Sequence, residues 1–203
     1  SEINKDPYSL KQLREFKTLV RELESNLLKF ELKHISNTGG ILNYRDPFFN
    51  MIRPGISLYG YYPDRSKVVK DIGIKPVMSL KTKVKFIKTL KKKQSISYGR
   101  KYFTRSETKI ASLPVGYGDG YSRQLSNKAK VFIKGKFYNI AGTVCMDWVM
   151  VDIGIDSKIK VNDEVIMFGK EYPVYNLSEI MKTIPYEVTC NISQRVKRIY
   201  TEK

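Results

Sequence analysis

The stretch "VMSLKTKVKFIKTL", residues 77–90, sets Met78, Leu80, Val84 and Phe86 against Ser79, Lys81, Lys83 and Lys85. Successive side chains of a strand point to opposite faces, so apolar residues at every second position opposed by lysines predict one long strand, packed on one side and wet on the other. The segments that follow read the same way. "TKIASLPVG", "DWVMVDIG" and "DEVIMFG" are strand candidates, and "KVFIKGKFYNI" is a hairpin that turns at Lys134-Gly135. One short helix is expected among them, "NLSEIMKTI", with Asn176 and Glu179 at capping-box spacing. From about residue 75 onward the chain therefore reads as a mostly antiparallel β domain, a small barrel or sandwich.

Upstream the period changes. In "DPYSLKQLREFKTLVRELE", residues 6–24, Leu10, Leu13, Phe16, Val20 and Leu23 recur at three- and four-residue steps, one face of an amphipathic helix, with Ser9 and Gln12 at capping-box spacing. "NLLKFELKHISN" then alternates Leu28, Phe30, Leu32 and His34 on one side of a short predicted strand, and "NTGGILN" ends it in turn-forming residues. "FFNMIRPGISLYGYYPD" is an apolar, strand-like segment interrupted by Pro54 and Gly55. Such αβ alternation suits a piece of a parallel α/β fold. The polar stretch "YYPDRSKVVKDIG", residues 61–73, reads as the linker between the two parts.

With 203 residues and 41% hydrophobic content the chain can bury a core. No apolar run is long enough to span a bilayer, and no segment reads as a signal peptide. Cys145 and Cys190 stand in no metal-ligand spacing with the single histidine, His34, so no metal is expected and a reducing cytoplasmic setting is the simple reading. A net charge of +17 raises the question of a nucleic-acid partner, and fourteen tyrosines could supply stacking. The lysines, however, are spread along the chain at polar alternate positions, which favours a solvated surface and no nucleic-acid partner.

Seven blocks in order resemble one family: "HISNTGG" (34–40), "MIRPGISLYG" (51–60), "SYGR" (97–100), "LPVGYGDGYSRQLSN" (113–127), "AGTVCMDWVMVD" (141–152), "VNDEV" (161–165) and "YEVTCNISQRVKRIY" (186–200). Together they are similar to the C-terminal portion of the pyridoxal-phosphate-dependent alanine racemases. The resemblance implies the last αβ units of a TIM barrel over residues 1–68 and the family's C-terminal β domain over 75–203. It also implies a cytoplasmic homodimer, head to tail, that interconverts L- and D-alanine and so supplies D-alanine for peptidoglycan; serine is the alternative substrate within the family. The lysine that carries the cofactor lies in no block matched here, so these residues alone are expected to be inactive.

The resemblance also assigns roles. Tyr98 of "SYGR" implies the acid/base on one face of the substrate, reaching across the dimer interface; taken alone it reads as a surface tyrosine closing a hairpin. A phenol serves as a base near neutral pH only beside positive charge or hydrogen-bond donors. Arg53 implies the guanidinium facing the pyridine nitrogen, where a fixed charge discourages ring protonation. Gly55 and Ile56 match amides that meet the cofactor phosphate, and Thr38 stands in the same phosphate loop where the family usually has serine. Tyr186 matches a tyrosine near that phosphate, preceded by Pro185 in place of the usual asparagine. Met146 and Tyr117 match residues lining the partner's substrate pocket and its entrance. His34 implies a supporting, hydrogen-bonded histidine, and Asn37 a structural neighbour. Cys145 reads as a small buried hydrophobe.

Overall fold

The structure is a computed structural model that describes residues 1–64 and 72–201. The chain divides into two compact units, Ser1–Val77 and Met78–Lys203.

In the first unit α1 spans Pro7–Ser25. Its start differs from the expected capping box: Asp6 is the cap, its carboxylate accepting from the Ser9 backbone N–H at 2.8 Å and the Ser9 hydroxyl at 2.7 Å, with Pro7 at the first helical position. The strand expected over residues 26–37 is not formed. That segment has no regular ladder; the Asn50 side chain bonds it instead, its Oδ1 accepting from Lys33 N–H at 2.7 Å and its Nδ2 donating to Glu31 O at 2.8 Å, beside the backbone bonds from Asn50 N–H to Lys33 O and from Arg53 N–H to Ser36 O. Leu28, Phe30 and Leu32 remain exposed, because alternation buries a face only where another element covers it. The turn expected at 37–43 is instead a short helix, α2, Thr38–Asn43, capped by the Asn37 side chain, which accepts from Gly40 N–H at 2.9 Å. Pro54 and Gly55 end extended structure, and a 3₁₀ turn, Ile56–Tyr59, follows in place of a strand. Tyr61 and Tyr62, assigned above to the linker, are buried, and residues 65–71 of that linker lie outside the described residues.

Among the described residues the second unit is built on nine strands: β1 Leu80–Lys83, β2 Phe86–Leu90, β3 Ser95–Ile96, β4 Tyr102–Phe103, β5 Thr108–Leu113, β6 Lys130–Ile133, β7 Lys136–Ile140, β8 Val149–Asp152 and β9 Glu164–Phe168. Seven form one antiparallel sheet in the order β1-β9-β6-β7-β8-β5-β2, and β3 pairs with β4 separately. The single long strand expected at 77–90 is two. At Val84-Lys85 the run leaves β9 for β5, Val84 N–H donating to Asp163 and Lys85 N–H to Ser112, both at 2.9 Å. The two edges of the sheet are thus the two halves of one continuous run, and the sheet curls on itself as a small barrel does.

The hairpin at Lys134-Gly135 forms as expected, both residues having positive φ (45° and 80°), which suits a tight two-residue turn between twisted strands. Leu113, Val131, Ile133, Val149 and Val151 are fully buried inside the curl. The helix expected from Asn176 begins earlier. α3 is Val174–Met181 with Pro173 at its cap, so Asn176 lies inside the helix and caps nothing. A further helix, α4, Pro185–Cys190, starts on Pro185 at its first position, which accounts for proline there.

Candidate active site

On β5 and β8, residues alternate between the inside of the curl and its outer face, and the outer set includes Ile110, Ser112, Met150 and Asp152. Ile110 joins Ile96 and Ala141 in a buried cluster on that outer face, with Leu90, Tyr102 and Met150 packed against it. This cluster seats the β3–β4 hairpin. At its base Tyr102 donates its hydroxyl to Asp152 Oδ2 at 2.6 Å, and Thr108 donates to Oδ1 at 2.5 Å. Burial, with the Asp152 carboxylate second, pushes the Tyr102 phenol up to about 12, so it stays a donor.

The tip of this hairpin carries the Ser97-Tyr98-Gly99-Arg100 block. Ser97, Gly99 and Arg100 all have positive φ (65°, 72° and 47°), a conformation that costs a non-glycine residue about 1–2 kcal/mol and persists only where the surroundings hold it. What holds it is the loop between β7 and β8. Ser97 Oγ donates to Thr143 O at 2.7 Å, and Thr143 Oγ1 donates to Tyr98 O at 2.9 Å. Asn127 ties the same loop to the far side of the tip, accepting from Gly142 N–H at 2.6 Å and donating to Lys101 O at 3.1 Å. Gly142 has φ 90°, and a Cβ there would lie 2.7 Å from Ser97 Cβ. The tyrosine is left projecting, 74% exposed.

Tyr98, Tyr117 and Met146 line one cavity of about 540 Å³, together with Arg123, Asp147 and Trp148. Three assigned residues are thus brought together from three separate segments. Tyr117 and Met146 are fixed by a backbone approach: Tyr117 N–H donates to Cys145 O at 3.0 Å and Gly118 N–H to Met146 O at 2.9 Å. A Cβ on Gly116 would fall 2.2 Å from Cys145 O, so only glycine allows this contact. Arg195 locks both segments, donating to Asp119 Oδ1 at 2.7 Å and Asp147 Oδ1 at 2.6 Å; these bonds raise its pKa further, Asp119 first. Arg123 adds a basic residue to the lining of the same cavity. Cys145 lines the same wall half-buried, its Sγ 3.4 Å from Ser97 Oγ. Tyr186, on α4, is not among the described residues lining this cavity.

Of the residues assigned to the cofactor in the first unit, Thr38 and Gly55 are in direct contact. Thr38 is buried at 1% exposure; its hydroxyl accepts from Gly55 N–H at 2.8 Å and lies 3.1 Å from Ser57 Oγ. Ile56 opens the 3₁₀ turn directly after Gly55. Arg53 is held against the 34–38 loop by its backbone N–H to Ser36 O at 2.9 Å and its Nη2 to Ile35 O at 3.1 Å. Arg53, Asn37 and Gly40 line a cavity of about 270 Å³. The Thr38 and Ser57 hydroxyls thus stand together at the start of the 3₁₀ turn, with the Gly55 N–H already taken up by Thr38. The His34 Nδ1 is buried with no hydrogen-bond partner among the described residues.

The alanine racemase C-terminal domain profile matches residues 77–200, and the N-terminal domain profile of the same family matches residues 1–63. The chain belongs to the alanine racemase family. It is 45% identical over 95% of its length to an alanine racemase of Clostridium perfringens, covering 51% of that protein. Among solved structures, the alanine racemase of Clostridium difficile 630 superposes with a TM-score of 0.91 at 42% identity, over 98% of this chain and 52% of the other. The alanine racemase of Bartonella henselae, solved with covalently bound pyridoxal phosphate, superposes at 0.84 with 30% identity, over 98% of this chain and 54% of the other. The chain thus spans about half the length of the relatives it matches.

Proposed function

We propose that this chain forms the C-terminal part of a cytoplasmic, homodimeric alanine racemase that uses pyridoxal phosphate and supplies D-alanine for peptidoglycan. The observation that carries the reading is the gathering of Tyr98, Tyr117 and Met146 on one cavity wall. The Thr38 and Ser57 hydroxyls, with Ile56 opening the 3₁₀ turn, supply donors that suit a phosphate, and the fixed charge of Arg53 suits an unprotonated pyridine nitrogen. When bound, the cofactor supplies an electron sink for the pair left at the α-carbon.

This chain's residues do the rest. Racemisation removes the α-proton from one face and returns one to the other, which needs an acid/base group on each side. Tyr98 serves one face, its phenol oxygen accepting or delivering the proton, and the exposed hairpin tip lets it reach the site of a second copy. Met146 and Tyr117 limit the space to a small side chain and close it to water. The opposite face is served by a lysine outside these residues.

The test is Tyr98→Phe in the complete enzyme. Exchange of the α-proton with D₂O, followed by NMR for each enantiomer of alanine, should fall ~10²–10⁴-fold for the enantiomer whose proton faces Tyr98 and far less for the other. A symmetric loss for both enantiomers would remove Tyr98 from this role.

A further inference from the structure

We propose that Thr143 is the positioning residue for Tyr98; the inference rests on the acid/base role given to Tyr98 above. The Tyr98 side chain is 74% exposed, so its placement is inherited from the backbone beneath it. That backbone is a run in which Ser97, Gly99 and Arg100 all adopt left-handed φ, and such a run has no regular ladder to hold it. Thr143 is its clamp. The threonine hydroxyl donates to the carbonyl of Tyr98 itself at 2.9 Å, while the threonine carbonyl accepts the Ser97 hydroxyl at 2.7 Å. The two hydrogen bonds close a ring across the residue that carries the chemistry.

Thr143 is 4% exposed, a buried hydroxyl whose donor must be spent, and Tyr98 O receives it. Three residues further along the same loop Met146 lines the substrate-facing cavity, with its carbonyl bonded to Gly118 N–H. One short segment therefore fixes the acid/base and the wall opposite the substrate with respect to each other. A side chain of threonine's shape without the hydroxyl would leave Tyr98 O unpaired and the tip free to shift.

The comparison is between Thr143→Val and Thr143→Ser in the complete, cofactor-loaded enzyme, with two readouts. Amide hydrogen exchange over residues 95–103 reports the tip and does not depend on activity. It should become about fivefold faster in Thr143→Val, the effect of losing one net hydrogen bond, and return to the parent rate in Thr143→Ser. Exchange of the substrate α-proton should fall ~10²-fold on the face served by Tyr98 in Thr143→Val and stay nearly unchanged on the other, because displacing a reacting group by an ångström costs on that order. Thr143→Ser should recover it. If Thr143→Val does not fold, Thr143→Ala carries the same comparison. Unchanged amide exchange over 95–103, an equal loss on both faces, or no recovery in Thr143→Ser would overturn the proposal. Should Tyr98→Phe itself show no asymmetry, the catalytic reading fails, and amide exchange still decides whether Thr143 holds the tip.

Discussion

Gly142→Ala should separate the seating of the hairpin tip from the general stability of the β domain. At Gly142, φ is 90°, and an added Cβ would lie 2.7 Å from Ser97 Cβ and 2.8 Å from Ile96 O. Carbon atoms rest at about 3.5–4.0 Å, so the loop and the base of the tip must part by roughly 1 Å. The hydrogen bond from Gly142 N–H to Asn127 Oδ1, 2.6 Å long, lies in the path of that movement. A shift of that size at an acid/base group costs ~10²-fold in turnover. The left-handed conformation adds about 1–2 kcal/mol of instability for alanine whatever the space. Gly135 supplies the control, because it has φ 80° but nothing within 4 Å of where its Cβ would go. Gly135→Ala should pay the same conformational penalty and keep its turnover. The assay is the initial rate of racemisation from each enantiomer in the complete enzyme, beside urea unfolding of both variants. If Gly142→Ala is destabilised like Gly135→Ala and yet turns over at the parent rate, the tip is not seated against Gly142 as argued.

In the complete enzyme Arg53→Glu should slow racemisation and raise the share of transamination, measured as pyruvate formed per racemisation event, since a carboxylate in place of a fixed cation favours a protonated pyridine nitrogen; unchanged partitioning would count against the assignment. The Tyr102 phenol, pushed up to about 12 by burial and by Asp152, keeps its proton in the folded state where an unfolded tyrosine, near ~10, has lost it. Its contribution is therefore complete below about pH 10 and is lost as the pH rises through about 12. Tyr102→Phe should flatten that fall in the urea midpoint relative to the parent, and parallel curves would refute the coupling.

The parts that were legible in the sequence are those whose cause is local. Lys134-Gly135 announces its hairpin because the turn needs two positive φ values and the flanking residues alternate. The break at Val84-Lys85 announces nothing: lysines and apolar residues continue across it, and only the partners decide it, β9 for the first half and β5 for the second. The alternation of Leu28, Phe30 and Leu32 misleads for the converse reason, since pattern describes a face and cannot supply the element that covers it. The helix caps were misread because serine and asparagine at plausible spacings compete with an aspartate or proline placed just before them, as Asp6 and Pro173 are.

The candidate site divides along the same line. Ser97-Tyr98-Gly99-Arg100 stands out within a lysine-rich alternation, and glycine and serine there anticipate the left-handed turn that the structure contains. Nothing near it in the chain points to Thr143, 45 positions away, or to Asn127, 26 positions from the Lys101 carbonyl that it binds. A tyrosine exposed at a tip can be recognised by its neighbours, but an acid/base must also be placed to within a fraction of an ångström, and that precision comes from contacts distant in sequence. It follows that substitutions at Thr143, Asn127 and Gly142 should alter the asymmetry of proton exchange between the two enantiomers while leaving the β domain folded. Substitutions that disturb the inner core at Leu113 or Val151 should lower both exchange rates together with stability.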